Sequence, residues 1–338
     1  MEKGCPDFIN TKNSNLENTL TSIEVHKFGK PILNLVQEGY SSIRNPAAFL
    51  YENKIGLLYT IRYNSENSGL FLAWSKNGKD FELEKKPFIE LDEDAKTATE
   101  DARITQIGNE YFITFTAYKG VENNKNVIRT GLAKTKNFKE YYDRQIILNN
   151  KQENKNALFF NNEIYNFIID RPFIGKSNET PCAQIARVEN LNPLKFGEFK
   201  DYLLPRKDMW DDARVGINTP AIKCEHKKYG KVLFMLYHGA DKKTNTYKMG
   251  YIFADEKNPK KILERSISPL IKPELDFEIG RGDYLPEVPN VIFGCGAIPI
   301  KKNTIRFYYS GADKYPSFAD LISDDFEVID EIFEPKPY

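Results

Sequence analysis

The sequence lacks the features of a secreted, metal-binding or membrane-spanning protein. Its four cysteines, Cys5, Cys182, Cys224 and Cys295, lie far apart, and none has the CxxC spacing of a zinc or redox site. We therefore expect free, mostly buried thiols in a reducing compartment. The N-terminus is polar, without the apolar stretch of a signal peptide, and no apolar run has the length of a membrane span. These absences predict a cytoplasmic protein.

Net charge is also absent, because 48 Lys and Arg residues balance 48 Asp and Glu residues. A balanced chain has no general attraction for polyanions, so neither nucleic acid nor a membrane is an expected partner. No carboxylate and histidine cluster has ligand spacing, so we expect no metal and no other cofactor. Aromatic residues, in contrast, make up 13% of the chain. They favour half-buried strands, and their ring faces also suit the stacking of sugar rings.

A weak repeat runs along the chain. Each copy is a short apolar and aromatic strand that leads to a polar or basic residue, and successive copies start roughly 50 to 75 residues apart. The copies are 56–62 (GLLYTIR), 111–117 (YFITFTA), 164–170 (IYNFIID), 232–238 (VLFMLYH) and 305–311 (IRFYYSG). Turns rich in Asn, Gly or Lys precede most of them, which indicates hairpins. This spacing suits four-stranded blades, so we predict an all-β, five-bladed β-propeller.

Two other all-β folds use short strands and turns, namely a pair of β-sandwiches and a larger barrel. Five similar units in one chain favour the propeller over both. No Pro/Ser-rich linker or block of charge divides the sequence, so residues 1–338 are predicted to form one catalytic domain.

In a propeller the innermost strands surround an axis, and ligands bind at one mouth of it. The ends of the repeated strands would place Arg62, Arg171 and His238 at that mouth. The loops between blades are expected to supply Asn45, residues 100–103, Lys155, Arg214 and Asp313. Each is a weak signal alone, because a loop Asp is usually a turn or cap residue and a single Arg or His usually has a structural partner.

Short blocks of the sequence resemble glycoside hydrolase family 130, whose members are five-bladed propellers and mostly β-mannoside phosphorylases. Residues 99–104 (TEDARI), followed by 111–118 (YFITFTAY), resemble the family's Glu-Asp-Pro-Arg motif and the strand after it. The other blocks that match in order and spacing are 45–48 (NPAA), 170–172 (DRP), 237–239 (YHG), 290–293 (NVIF) and 309–313 (YSGAD). The resemblance extends over nearly the whole chain.

The resemblance implies an inverting phosphorolysis of β-1,4- or β-1,2-linked manno-oligosaccharides that reversibly gives α-mannose 1-phosphate. Phosphate, a co-substrate, takes the place of the activated water of an inverting hydrolase. The implied general acid is Asp101, and the implied sugar-binding residues are Asn45, Arg62, Arg103 and Asp313. The implied phosphate ligands are Lys155, Arg171, Arg214, His238 and Tyr247. Their basic character favours phosphate over water as the attacking group.

The sequence departs from the family pattern at two positions of this site. The family's proline is Ala102 here, which is expected to loosen the position of Asp101. The histidine that precedes Arg171 in the family is Asp170, an acid that could repel phosphate or activate water. Residues 280–286 form a longer segment than usual and are expected to shape the acceptor side.

Arg103 follows Asp101 closely in the same motif. Pairing of Arg103 with Asp101 would favour the ionised form of the acid. We therefore expect Arg103 to pair with Glu100 instead.

Three other functions stay open. A β-mannosidase that uses water is favoured by Asp170 and would show no dependence on phosphate. A related propeller acting on an arabinoside or fructoside would need further carboxylates in the funnel. A non-catalytic sugar-binding propeller would not respond to replacement of Asp101. Family members can form homo-oligomers, although no exposed apolar helix in this sequence indicates one.

Overall fold

The protein is built almost entirely from antiparallel β-strands. The computed structural model describes residues 8–11, 20–33, 40–63, 67–122, 125–148, 153–173 and 182–333. Its first strands are β1 (Phe8–Thr11) and β2 (Glu24–Phe28), which pair with each other and belong to the last blade. The described part of the chain holds no helix with the length and apolar character needed to cross a bilayer.

Five blades follow one another along the chain. The first contains β3 (Ser42–Tyr51), β4 (Lys54–Arg62), β5 (Ser68–Ser75) and β6 (Glu82–Leu83). The second contains β7 (Ala98–Ile107), β8 (Glu110–Glu122), β9 (Lys125–Thr135) and β10 (Tyr142–Ile146). The third contains β11 (Glu153–Asn161), β12 (Asn166–Phe173), β13 (Ala183–Leu191), β14 (Leu194–Phe196) and β15 (Lys200–Leu203).

The last two blades complete the ring. The fourth contains β16 (Arg214–Ile217), β17 (Ile222–His226), β18 (Gly230–Ala240), β19 (Tyr247–Asp255) and β20 (Ile262–Arg265). After the short helix α1 (Asp276–Ile279), the fifth contains β21 (Ile292–Lys301), β22 (Thr304–Gly311) and β23 (Tyr315–Ile322). The strand β24 (Phe326–Val328) then pairs with β17.

Apolar side chains close the ring by packing between neighbouring blades. Leu58 and Ile113 join the first and second blades, and Phe112 and Ile168 join the second and third. The other shared clusters contain Val215 with Leu158 for the third and fourth blades, Phe234 with Phe307 for the fourth and fifth, and Tyr59 with Phe318 for the first and fifth. Each blade is therefore packed on both faces, and the predicted five-bladed propeller is confirmed.

The predicted repeat corresponds to the strand next to the innermost one in every blade, namely β4, β8, β12, β18 and β22. Neighbouring blades cover both faces of these strands, so long apolar and aromatic runs are favoured. The prediction of free, buried thiols is confirmed for the cysteines that the structure describes. Cys182, Cys224 and Cys295 are free and buried, whereas Cys5 lies outside the described residues.

The first strands of three blades carry the same backbone irregularity. β3, β7 and β11 each have a bulge, and in each bulge one residue adopts a left-handed conformation. These residues are Asn45 (φ 53°), Asp101 (φ 55°) and Asn156 (φ 60°). Their short polar side chains tolerate this conformation better than most others. The bulges turn the three side chains toward a common cavity at one mouth of the axis.

The prediction that inter-blade loops supply the site is therefore wrong for most residues. Asn45, residues 100–103, Lys155 and Arg214 lie in the innermost strands β3, β7, β11 and β16. Asp313 lies in the tight turn between β22 and β23, within one blade. Bulged strand residues were mistaken for loops because a bulge interrupts the alternation that marks a strand.

A buried ion pair attaches β2, a strand of the fifth blade, to the helix α1. Lys27 is 1% exposed, and its Nζ donates to Glu278 Oε2 at 2.9 Å and to the Lys272 carbonyl at 2.7 Å. Glu278 is fully buried in α1 and also accepts a hydrogen bond from the Tyr309 hydroxyl at 2.6 Å. The strand β2 is thereby fixed to α1, the helix that precedes residues 280–291.

Candidate active site

A cavity of about 480 Å³ opens where the bulges of β3, β7 and β11 meet. The predicted site residues that line it are Asn45, Arg62, Asp101, Lys155, Arg171, His238, Tyr247 and Asp313. Arg103 and Arg214 lie behind its wall and act on residues that face it. Nowhere in the described ranges do three His, Cys, Asp or Glu side chains gather as a metal site would require.

Asp101 is held in place on several sides. Its backbone N–H donates to Thr60 Oγ1 at 2.9 Å, and its carbonyl accepts from Arg103 Nη1 at 2.6 Å. Its carboxylate accepts a hydrogen bond from Asn45 Nδ2 at 2.7 Å. The residue is 8% exposed at the cavity surface. These contacts restrain Asp101 although Ala102 follows it in place of a proline.

The expected pairing of Arg103 with Glu100 is wrong. Glu100 instead pairs with Arg44, whose Nη2 lies 2.6 Å from Glu100 Oε1. Arg103 is 1% exposed and uses Nη1 for the Asp101 carbonyl, so it supports the acid from behind. The structure thus separates Arg103 from the cavity that it was predicted to line.

Glu287 joins two arginines along one wall. Its two carboxylate oxygens lie 2.7 Å from Arg44 Nη1 and 2.7 Å from Arg62 Nη1. Burial alone would lower the pKa of Arg44, but the nearby carboxylates, Glu100 foremost, outweigh this effect and raise it. Arg44 therefore stays a cation in this wall. Sequence reasoning missed Glu287, because a contact between a loop and two distant strands leaves no local pattern.

Asp313 completes the acidic side of the cavity. Loss of solvation raises the pKa of its carboxyl to about 6, although Arg44 partly opposes this shift. Its backbone is left-handed, as is that of Ala312, which points the tight turn into the cavity.

Another part of the cavity lining is basic. Lys155 and Arg171 lie directly across from each other on β11 and β12. The Lys155 ammonium donates to the Tyr118 hydroxyl and lies 4.8 Å from the centre of that ring. Arg171 is 5% exposed, and its pKa is lowered by burial and by the neighbouring guanidinium groups of Arg214 and Arg103. Two cations held this closely favour an anionic ligand.

Arg214 orients the tyrosine of this wall. Its Nη1 donates to the Tyr247 hydroxyl at 3.0 Å, and its Nη2 donates to Asn245 Oδ1 at 2.8 Å. Arg214, which is predicted to bind phosphate, thus contacts Tyr247, a residue of the cavity lining.

His238 lies at the back of the basic wall and is fully buried. Its ring stacks on Tyr247 at 5.6 Å between centroids and packs against Phe293 at 5.1 Å. Burial lowers its pKa well below the usual value, and the positive charges of Arg171, Arg103 and Arg214 add to this effect. Both effects favour the neutral imidazole. Gly216 makes room for it, because a Cβ there would come within 2.5 Å of His238 Cε1.

Asp170 does not face the basic wall. Neighbouring residues of a strand point to opposite faces, and Arg171, not Asp170, lines the cavity. Burial raises the pKa of Asp170 to about 7, and its charge acts on Cys182 on the outer side of the strand. The expected conflict between an acid and phosphate at this position is therefore absent.

Asn156 is the cavity residue that the sequence pattern could have revealed. It is 3% exposed, lines the cavity beside Lys155, and occupies the third left-handed bulge. In all three bulges a charged residue precedes an Asn or Asp, as in Arg44–Asn45 and Glu100–Asp101.

Comparison with known proteins assigns the chain to a family. Residues 12–326 match the model of glycoside hydrolase family 130, which is described as beta-1,4-mannooligosaccharide phosphorylase. The chain belongs to this family. The family 130 resemblance seen in the sequence is thereby confirmed.

Individual family relatives are moderately similar. A 1,2-beta-oligomannan phosphorylase of Thermoanaerobacter sp. (strain X514) is 30% identical over 81% of this chain and 87% of its own length. A beta-1,2-mannobiose phosphorylase of Listeria innocua serovar 6a is 31% identical over 77% of this chain and 68% of its own length. The solved structure of a Listeria innocua beta-1,2-mannobiose phosphorylase, in complex with beta-1,2-mannobiose, has a TM-score of 0.71. It is 25% identical and covers 88% of this chain and 96% of its own.

Proposed function

We propose that this enzyme is an inverting β-mannoside phosphorylase. The observation that carries the proposal is one cavity that is lined both by a restrained carboxyl group, Asp101, and by the cations Lys155 and Arg171. An inverting hydrolase needs two carboxyl groups, one on each side of the bond. In a phosphorylase the second group is replaced by a site for phosphate, and Lys155 and Arg171 provide such a site.

In this reaction, an oxygen of phosphate bonds to the anomeric carbon from the basic side while the glycosidic bond breaks. The proton of Asp101 passes to the leaving oxygen, through a sugar hydroxyl as the family resemblance implies. The products are α-mannose 1-phosphate and the shortened saccharide. Asn45, Arg62 and Asp313 bind the mannose, and no other cofactor takes part.

The phosphate ligands divide into direct and indirect ones. Lys155, Arg171, His238, Tyr247 and Asn156 line the cavity. In this proposal all five contact the anion. Arg214 acts through Tyr247, whose hydroxyl it fixes.

We further propose that the substrate linkage is β-1,2. The two relatives named above, which are 30% and 31% identical to this chain, are phosphorylases of β-1,2-linked mannosides. The linkage in the family description is β-1,4, so both mannobioses belong in the test.

The test measures phosphate release from α-mannose 1-phosphate in the presence of glucose, mannose, N-acetylglucosamine, β-1,2-mannobiose or β-1,4-mannobiose. We expect release only with an acceptor, and its loss in Asp101→Asn. Asp170→Asn is the matched control, because it removes a buried carboxyl outside the cavity and should retain activity. Cleavage of mannobiose in phosphate-free buffer, without any phosphate release in the reverse assay, would instead establish a β-mannosidase.

A further inference from the structure

The side-chain orientation of Asn218 is fixed by two backbone groups. Its Oδ1 accepts a hydrogen bond from the His238 backbone N–H at 2.8 Å, and its Nδ2 donates to the Gly294 carbonyl at 2.7 Å. Exchanging the amide oxygen and nitrogen would place donor against donor and acceptor against acceptor. The atom that faces His238 Nδ1 is therefore an oxygen.

This oxygen sets the tautomer of His238. Nδ1 lies 2.6 Å from Asn218 Oδ1, an atom that can only accept, so Nδ1 carries the ring proton. In a neutral imidazole the other nitrogen, Nε2, is then an acceptor. Nε2 is buried and has no hydrogen-bond partner among the described residues. It is the polar atom that this ring retains for a ligand in the cavity.

The charged neighbours of His238 favour the neutral ring. Arg171, Arg103 and Arg214 all act on it, and each disfavours a further positive charge. Tyr247 and Phe293 cover its faces and provide no carboxylate to stabilise an imidazolium. The group that meets the anion here is thus an acceptor, unlike the donors Lys155 and Arg171.

We infer that His238 Nε2 accepts a hydrogen bond from the P–OH group of hydrogen phosphate and so selects this anion against sulfate. Hydrogen phosphate carries one proton near neutral pH, whereas sulfate carries none and would place a lone pair against Nε2. The inference rests on the proposed phosphorolysis and adds to it the basis on which this site distinguishes two anions of similar size and charge. Hydrogen arsenate, which keeps the acidic proton, should behave like phosphate.

The test is calorimetric titration of the wild-type protein with phosphate, arsenate and sulfate at about pH 8. Sulfate should bind roughly 10- to 100-fold more weakly, the effect of losing one hydrogen bond to a charged group. Titrations in two buffers of different ionisation enthalpy measure the protons taken up on binding. Phosphate binding should show no proton uptake, whereas any sulfate that binds should cause His238 to take up a proton. In His238→Gln the amide can donate, so the preference for phosphate should fall toward unity. His226→Gln, which removes a buried imidazole far from the cavity, should keep the preference.

Each outcome is decisive. Equal wild-type affinity for phosphate and sulfate, proton uptake with phosphate, or an unchanged preference in His238→Gln would overturn the inference. The buffer comparison needs no variant, so it decides the matter even if His238→Gln does not fold. An enzyme with phosphate-dependent activity but no preference refutes only this inference. A protein that binds no phosphate and shows no phosphorolysis refutes the proposed function.

Discussion

The ion pair between Lys27 and Glu278 allows a quantitative prediction about stability. Lys27→Met keeps the length and apolar stem of the side chain but removes its charge. Glu278 then remains fully buried in α1 without a cation at 2.9 Å. Glu274 does not replace the lost partner, because it is an acid itself.

The magnitude follows from what Glu278 retains. Breaking a fully buried pair by removal of one partner costs about 3–5 kcal/mol, because the remaining charge is left uncompensated. Glu278 keeps three donors, namely the Tyr309 hydroxyl at 2.6 Å and the backbone N–H groups of Glu274 and Leu275 at 2.8 and 2.9 Å. These donors place the expected loss of unfolding free energy near the lower limit, at about 3 kcal/mol.

The assay is urea unfolding of the wild type, Lys27→Met, Glu278→Gln and the double variant. The double variant should lose less than the sum of the single losses, because it leaves no unpaired buried charge. Lys231→Met is the matched control: its ammonium also lies 2.9 Å from a carboxylate, that of Glu163, but both side chains are largely exposed. It should change stability little.

Two results would refute this reasoning. One is a loss in Lys27→Met no larger than in Lys231→Met, since burial would then not matter. The other is additivity of the two single losses in the double variant, which would mean that the charges are not coupled.

Three further predictions concern the cavity and its surroundings. Thr60→Val removes the acceptor of the Asp101 N–H. In steady-state phosphorolysis this variant should lower kcat by about 10- to 100-fold and leave KM nearly unchanged. An unchanged kcat would contradict the role of Thr60. Glu287→Gln weakens the ion pair with Arg62 and should raise KM for the mannoside more than it lowers kcat. A larger change in kcat than in KM would contradict the role of Glu287 in positioning Arg62. The folded pKa of Asp170 lies at about 7, above its unfolded value of about 3.9, so this group makes stability fall as the pH rises between them. Asp170→Asn should therefore melt higher than the wild type at pH 8 and equally at pH 4; a constant difference would exclude titration of Asp170.

The strands that sequence reasoning found are those whose environment is uniform. Segment 56–62 lies in β4 and segment 305–311 in β22, and nearly every residue of both strands is buried, so that long apolar runs are retained. The innermost strands were missed because their bulges carry Asn and Asp, which are also turn residues. The Asn and Asp residues of these bulges thus indicate the site but make the strands that carry them hard to recognise.

The site was predicted where a motif is contiguous and missed where tertiary contacts create it. Asp101 and His238 follow from short blocks that resemble the family. The partner of Arg103 was wrong, because no local rule predicts that Glu100 contacts Arg44 on another blade. Asn218 gave no signal at all, since its importance comes from two backbone contacts and one ring nitrogen.

The repeated left-handed bulge limits how the chemistry of this cavity can change during evolution. A backbone near φ 55° accepts Asn or Asp but disfavours bulkier residues by about 1–2 kcal/mol. An acid at these positions is therefore aspartate rather than glutamate, which fixes its reach into the cavity. Exchange of amide for carboxylate at Asn45 or Asn156 keeps the backbone and alters only the distribution of negative charge. A propeller of this kind can thus move its acid from one blade to another by two substitutions, one at each bulge, with no change of fold.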